Sequence, residues 1–209
     1  MKLGLIVEGY ADGAVCRIAA QRLVPGLTVH EPTVMVNRPR LLDGCGDAAA
    51  ALLKAGKCDK VAVVWDLYPN WADKQFKPCR KADRERALAS LAAAGLEAGP
   101  RVVLVCIQRE LETWLIADVA AIKSVLVPRY IAADRLQKIN PPGKPERHAD
   151  PKGWLEDTFD RAKGTKYTDR EHAPAIMGEI SDLKALRKVP SFSRFAAKLL
   201  GVPSWPPAK

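Results

Sequence analysis

Short apolar runs along the first half of the chain predict buried β-strands. The runs are rich in Val, Ile and Leu, and they lack the alternation of apolar and polar residues that a strand with one solvated face shows. They cover residues 3–7, 28–36, 60–65 and 101–107. Strands of this type need cover on both faces, which parallel sheets obtain from the helices that connect their strands.

Stretches with helical periodicity alternate with these strands. After the first strand, apolar residues recur at helical spacing from Val15 to Leu23, with Asp12 as the expected N-cap. Residues 41–53 and 81–94 show similar patterns. Because helices alternate with strands, the sequence predicts an α/β fold with a Rossmann-type, doubly wound parallel sheet flanked by helices.

The second half of the chain has a different organisation. A proline-rich segment, residues 138–153, predicts a connector without regular structure. Helical patterns follow at about 153–163, 169–180 and 192–200. We therefore expect an α/β domain over residues 1–135 and a helical C-terminal extension over residues 136–209 that packs on it.

Composition narrows the partners that the chain is expected to have. The formal charge of +9 at pH 7 favours a polyanion such as nucleic acid, and basic residues are concentrated between Lys74 and Arg86. No apolar stretch has the length of a membrane span and no signal peptide is recognisable, so we expect a soluble, cytoplasmic protein without a membrane partner. The five cysteines include no Cys-x-x-Cys pair, which argues against a disulfide framework and a zinc site.

Carboxylates follow three of the predicted strands. Glu8 comes directly after the first strand and Asp66 directly after the third, while Glu110 and Glu112 follow the fourth. Because the carboxyl ends of parallel strands meet at one edge of the sheet, where ligands bind in open α/β folds, we expect these side chains to lie together. Clustered carboxylates repel one another unless a cation compensates them, and oxygen ligands suit Mg²⁺ or Mn²⁺. The cluster therefore favours metal-assisted cleavage of phosphodiesters.

Each carboxylate also has a purely structural interpretation. Glu8 and Asp66 could be caps that accept backbone N–H bonds, and the two later glutamates could lie on a solvated helix face. Residues two apart share a face of an extended chain but diverge on a helix, so Glu110 and Glu112 can both contribute only if the helix begins after Glu110. The sequence has no Walker motif and no Gly-x-Ser-x-Gly elbow, which argues against a P-loop NTPase and an α/β-hydrolase.

Several segments spread over nearly the whole chain resemble the uncharacterised, Toprim-related family DUF4276. They are Val7-Glu8-Gly9, Asp66-Leu67-Tyr68, Ile107-Gln108-Arg109-Glu110-Leu111-Glu112, Ile139-Asn140-Pro141, Pro151-Lys152 and Pro190-Ser191-Phe192. The resemblance implies a Toprim-like fold, which topoisomerases, primases and overcoming-lysogenisation-defect nucleases share. Toprim domains usually have Asp-x-Asp after the later strand, whereas this chain has Asp66-Leu67-Tyr68 and so lacks the second acid of that motif.

The resemblance also implies a function. A Toprim-like protein of this type is expected to be a nuclease that depends on Mg²⁺ or Mn²⁺ and that works with a separate ATPase in defence against phage or other mobile DNA. We expect DNA as the substrate before RNA, although the sequence leaves both open. The implied metal ligands and catalytic residues are Glu8, Asp66, Glu110 and Glu112, and Lys152 is the implied catalytic residue that neutralises the scissile phosphate. Backbone phosphates are expected to contact Lys74, Lys77, Arg80 and Lys152.

Two other functions are compatible with the same residues. A Toprim scaffold without catalysis could serve as an interaction subunit of an ATPase or toxin complex, and the missing acid of Asp-x-Asp favours that alternative. A nucleotidyl transferase or phosphatase could use the same carboxylates on a different substrate. The sequence leaves the oligomeric state open, a homo-oligomer included.

Overall fold

A parallel β-sheet forms the centre of the protein, as the continuous apolar runs predict. The structure is a computed structural model, and it describes residues 1–68, 78–126, 136–140, 142–162 and 166–206. Within these residues the sheet has five strands: β1 (Lys2–Val7), β2 (Thr28–Val29), β3 (Thr33–Val34), β4 (Lys60–Asp66) and β5 (Val102–Ile107). Strand β4 lies between β1 and β5, and both β2 and β3 pair with the other side of β1.

The predicted second strand is two strands. Residues 28–36 were expected to form one continuous strand, but β2 pairs with the beginning of β1 and β3 with its end, and residues 30–32 separate them. Pro32 lies in this gap. A proline has no N–H group to donate to a sheet, which explains why the pairing is interrupted there.

Eight α-helices surround the sheet in the described residues. They are α1 (Tyr10–Leu23), α2 (Arg38–Lys54), α3 (Arg80–Ala93), α4 (Glu112–Leu115), α5 (Val119–Leu126), α6 (Pro151–Arg161), α7 (Asp169–Glu179) and α8 (Pro190–Leu200). Two 3₁₀-helices, Pro145–Arg147 and Leu183–Lys188, lie among the later helices.

The helices cover both faces of the sheet. Helices α2 and α3 pack on one face, against alternate strand residues such as Ile6 and Val63. Helix α1 and the later helices pack on the other face, against residues such as Leu5 and Val105. Cover on both faces is what strands without polar alternation require, so the predicted α/β class with a flanked parallel sheet is confirmed.

The C-terminal helices share the core of the second face. Helix α7 lies against α1, and α8 lies against β5. Trp114 donates a 3.0 Å hydrogen bond through Nε1 to Ser191 Oγ and so joins α4 to α8. The predicted boundary after residue 135 falls at the end of a segment that the structure does not describe, so the division into two domains stays a prediction.

The predicted connector ends earlier than residue 153. Helix α6 begins at Pro151, in the first helical position, where a proline loses no hydrogen bond. Asp150 is its N-cap, and its side chain accepts a 2.8 Å hydrogen bond from the backbone N–H of Gly153. None of the helices in the described part of the chain is long and apolar enough to cross a membrane.

Candidate functional site at the carboxyl edge of the sheet

The strand ends bring Glu8 and Asp66 into a chain of hydrogen bonds. Glu8 follows β1, and its Oε1 accepts a 3.0 Å hydrogen bond from the backbone N–H of Asp66 at the end of β4. Asp66 in turn accepts a 3.1 Å hydrogen bond through Oδ2 from the backbone N–H of Leu111, in the segment after β5. The carboxyl ends of three strands are thus joined through two carboxylates.

The two later glutamates both lie at the same edge. Helix α4 begins at Glu112, so Glu110 precedes the helix, which is the condition under which both can contribute. Each is only 7% exposed. Glu110 Oε2 accepts a 3.2 Å hydrogen bond from the backbone N–H of Lys152, and Glu112 Oε1 accepts one of 3.3 Å from the Tyr167 hydroxyl. A solvated helix face is therefore the wrong description of this pair.

Asp12 belongs to the same cluster, and the expectation that it is the N-cap of α1 is wrong. The N-cap is Gly9, and Asp12 lies in the first turn, where its Oδ2 accepts a 2.8 Å hydrogen bond from the Gly9 N–H. Its charge interacts with the carboxylates of Glu112 and Glu8. A signal for this residue was present in the sequence, because α1 begins two residues after Glu8 and its first turn must therefore lie at the same edge.

Lys152 is held at the site by an ion pair. Its Nζ lies 3.0 Å from Asp169 Oδ2, and its side chain is one-third exposed. Burial alone would lower the pKa of Lys152, but the Asp169 hydrogen bond and the charges of Asp169 and Glu112 raise it. The same ion pair lowers the pKa of Asp169 against the effect of burial. Lys152 is therefore a charged group next to the carboxylates and not a freely solvated lysine.

Asp169 and Tyr167 are site residues that the sequence did not reveal. Tyr167 is 3% exposed, and its hydroxyl is a donor to Glu112. Burial, followed by the charge of Glu112, raises the pKa of Tyr167, so the hydroxyl stays protonated. Tyr167 precedes α7, and Asp169 is its first residue. No pattern in the sequence predicts which part of the sheet that helix approaches.

Burial and mutual repulsion raise the pKa of every carboxyl group in the cluster except that of Asp169. Desolvation is the main cause for each, and neighbouring carboxylates add to it. The pKa values of Glu8, Asp12 and Glu110 rise to about 7. The pKa values of Asp66 and Glu112 are also raised. The cluster thus holds more negative charge than its surroundings stabilise.

The donor set suits a hard divalent cation by its chemistry. All its ligand atoms are carboxylate oxygens, and the hydrogen bonds described above use one oxygen of each carboxylate. Among the described residues, no three His, Cys, Asp or Glu side chains are arranged as a ready metal site. Mg²⁺ is commonly bound through one or two carboxylates and retains several waters, so a pair such as Glu8 and Asp66 is a sufficient protein contribution.

The predicted phosphate-binding residues fall in different places. Arg80 is exposed at the start of α3, and Lys152 lies at the acidic cluster. Lys74 and Lys77 lie outside the described residues. Two further basic side chains, Arg194 and Lys198, lie on α8 beside β5, where they donate hydrogen bonds to the backbone carbonyls of Cys106 and Leu104.

Comparison with known proteins identifies the family. The comparison with curated proteins and that with solved structures gave no match. The family described as "Domain of unknown function (DUF4276)" matches residues 7–200, from the last residue of β1 to the end of α8. The chain therefore belongs to the DUF4276 family.

Proposed function

We propose that this protein is a Toprim-like nuclease that uses Mg²⁺ or Mn²⁺ to hydrolyse phosphodiester bonds in nucleic acid, with DNA as the first substrate. The main support for the proposal is the composition of the acidic cluster. Carboxylates from three strand ends and two helix starts lie at one edge of the sheet, Glu110 and Glu112 buried and the others half-buried. Their pKa values are raised to near neutrality or above their usual range. A divalent cation is the partner that compensates such a cluster.

The residues take distinct roles in this proposal. Glu8 and Asp66 hold the cation, which when bound lowers the pKa of a water and stabilises the leaving oxyanion. Glu110 or Glu112 completes the ligand set or orients the attacking water. Among the residues that the structure describes, Lys152 uses one of its three N–H donors on Asp169, which leaves two for a phosphate oxygen.

The wider biological role rests on charge and on the family resemblance. The net charge of +9 favours DNA as a partner, with Lys74, Lys77 and Arg80 on its phosphates. Action in the cytoplasm with a separate ATPase, in defence against phage or other mobile DNA, is the role that we propose from the Toprim resemblance.

A non-catalytic interaction subunit is the second candidate. Asp66-Leu67-Tyr68 lacks the second acid of Asp-x-Asp, and the described residues contain no ready group of three metal ligands. Such a protein would bind an ATPase or a toxin through the same scaffold. Titration calorimetry with Mg²⁺ separates the two candidates, because only the nuclease gives a binding heat that Glu8→Gln removes.

Cleavage of supercoiled plasmid with Mg²⁺ or Mn²⁺ tests the proposal directly. Glu8→Gln is the informative variant, because the amide oxygen can still accept the hydrogen bond from the Asp66 N–H. We expect cleavage to fall at least about 100-fold, as removal of a group that acts on the transition state does. The melting temperature without divalent cations should not fall, because burial also raises the pKa of Glu8 and the amide carries no charge. Glu97→Gln, at an exposed glutamate away from the cluster, should cleave like the wild type. Cleavage that persists in EDTA or in Glu8→Gln would refute the proposal.

A further inference from the structure

Two tyrosine–arginine pairs lie next to the carboxylates of the site. Tyr68 follows Asp66 by two residues, and the guanidinium carbon of Arg109 lies 4.8 Å from the centre of its ring. Tyr10 follows Glu8 by two residues, and the guanidinium carbon of Arg170 lies 5.8 Å from its ring centre. Each arginine is itself adjacent in sequence to an acidic residue of the cluster, Glu110 or Asp169. The same combination therefore occurs twice at one edge of the sheet.

The side chain of Tyr10 contributes little to the stability of the fold. The residue is 72% exposed, although it is the first residue of a helix that packs closely on the sheet. Aromatic side chains stabilise a fold mainly through the area that they bury, and Tyr10 leaves most of its area in water. An aromatic ring that is exposed beside a candidate active site has most of its surface available to a ligand.

A groove next to Tyr10 offers space for such a ligand. It has a volume of about 280 Å³ and is open to solvent. Apolar side chains from α1 and from the segment around β3 form much of its lining, among them Ile18 and Pro32. The ion pair between Arg17 and Glu31, with an N–O distance of 2.6 Å, supplies polar groups. A planar apolar ring with polar edges suits these surroundings.

We infer that Tyr10 and Tyr68, each with its arginine, stack unpaired nucleobases, so that the substrate is single-stranded nucleic acid or a frayed end. Bases stack on aromatic side chains and on guanidinium planes, and they do so without regard to sequence. Paired bases inside a duplex do not present their faces, which makes the contact selective for unpaired strands. The inference rests on the proposed function, because it names the form of nucleic acid that the same site takes.

The spacing relative to the carboxylates gives the contact a role. Both tyrosines are two residues from a proposed cation ligand, Glu8 or Asp66. Bases stacked at the two positions would hold the intervening backbone next to the carboxylates. Tyr10 and Tyr68 are in this sense positioning residues, since they contact the bases and leave the phosphate to other groups.

Binding to strands with and without bases tests the inference. Fluorescence anisotropy in EDTA compares oligothymidylate with an abasic strand of the same length and with a duplex. The two single strands carry the same number of phosphates and differ only in their bases, while the duplex carries more phosphates but no exposed base faces. We expect the wild type to bind oligothymidylate about tenfold more tightly than the abasic strand. Tyr10→Ala should lose about tenfold in affinity for oligothymidylate and none for the abasic strand, while Tyr10→Phe should bind like the wild type. Val202→Ala, at another exposed apolar residue, is the control.

A variant of Tyr68 tests the second stacking position without disturbing the fold. Tyr68 is partly buried against the core, so Tyr68→Leu keeps apolar volume while it removes the ring. We expect the same selective loss as for Tyr10→Ala. Equal affinity for the abasic strand and oligothymidylate, tighter binding to duplex, or no binding to either strand would overturn the inference.

Parallel cleavage assays with Mg²⁺ distinguish this failure from failure of the proposed function. Base-dependent binding without cleavage would refute the nuclease and leave the stacking contact intact. Cleavage without base-dependent binding would refute only the stacking contact.

Discussion

The acidic cluster and the edge of β5 that faces away from β4 carry opposite charges. In both regions charged side chains form hydrogen bonds with backbone groups. In the cluster, carboxylates accept hydrogen bonds from backbone N–H groups, as Glu110 does from Lys152. Along β5, basic side chains donate to backbone carbonyls. Lys198 Nζ lies 2.5 Å from the Leu104 oxygen, and Arg194 donates to the Cys106 oxygen over 3.3 Å. The two regions differ in whether these hydrogen bonds need a charged side chain.

On the basic edge, the charged groups are the donors that the carbonyl oxygens need. In the described residues β5 pairs only with β4, so its other edge would leave buried carbonyls without partners. In the acidic cluster, an uncharged amide oxygen could accept the same N–H bonds. The negative charge there is unnecessary for folding and opposed by burial. A charge that the fold does not require, present in several neighbouring residues, is consistent with the proposed function.

Removal of one acidic charge should therefore stabilise the protein. The pKa of Glu110 is raised from 4.5 to about 7, so between these pH values the folded state binds a proton that the unfolded state does not. Stability accordingly falls as pH rises through this range, and the whole penalty is present above about pH 7. We expect Glu110→Gln to be more stable than the wild type at pH 8, without divalent cations, by about 1–3 kcal/mol. Urea unfolding at pH 4.5 and pH 8 measures the difference.

The pH dependence provides the control for this prediction. At pH 4.5 the advantage of Glu110→Gln should almost vanish, because the wild-type carboxyl is then largely protonated in the folded state. Mg²⁺ at pH 8 should stabilise the wild type more than the variant. A variant that is less stable than the wild type at pH 8 would show that the Glu110 charge supports the fold, and the contrast with the β5 edge would be lost.

Removal of a basic charge on the β5 edge should instead destabilise the protein. Lys198→Met keeps the apolar stem but leaves the Leu104 oxygen, in a residue only 4% exposed, without its donor. Loss of such a partner costs about 1–3 kcal/mol. Burial and the nearby Arg84, Arg80 and Arg194 lower the pKa of Lys198, so some repulsion is relieved, by less than about 1 kcal/mol. The lost donor is the larger effect, and we expect a net destabilisation of about 1 kcal/mol.

Urea unfolding at pH 7 measures this change as well. Lys81→Met is the matched control, because Lys81 is exposed on α3 and its only ion pair among the described residues is an i,i+4 pair with Glu85. The control should alter stability by less than about 0.5 kcal/mol. A stabilising effect of Lys198→Met would mean that charge repulsion dominates on both edges.

The sheet edge could be predicted from the sequence because its signals are local. Unbroken apolar runs identify parallel strands, and an acid directly after such a run must lie at the carboxyl edge whatever the helices do. Glu8 and Asp66 were found in this way. The pair Glu110 and Glu112 needed one further condition, the start of α4, which the structure meets.

The other site residues depend on contacts between distant parts of the chain. Asp169 and Tyr167 reach the cluster because α7 packs against α1, and a helical pattern does not determine which neighbour a helix will have. Asp12 was assigned to the wrong position by one turn, since an aspartate near a helix start suits both the N-cap and the first turn. The interruption of the second strand was not predicted. The β-branched residues on both sides of Pro32 favour a strand, and they were given more importance than the proline.

Arg80 should affect DNA binding with only a small effect on stability, since its removal relieves no more than a weak repulsion of Lys198 and Arg194. It is exposed at the start of α3, and no hydrogen bond or ion pair holds it among the residues that the structure describes. A phosphate contact releases about one counterion, so Arg80→Ala should reduce the slope of log K against log salt concentration by about 1. Anisotropy titrations in EDTA over a series of salt concentrations measure the slope. Lys81→Ala removes the same charge one residue later, where the side chain is 86% exposed, and it should reduce the slope less. Equal slopes for the two variants would mean that DNA responds to net charge alone, and Arg80 would then have no specific place on the phosphate backbone.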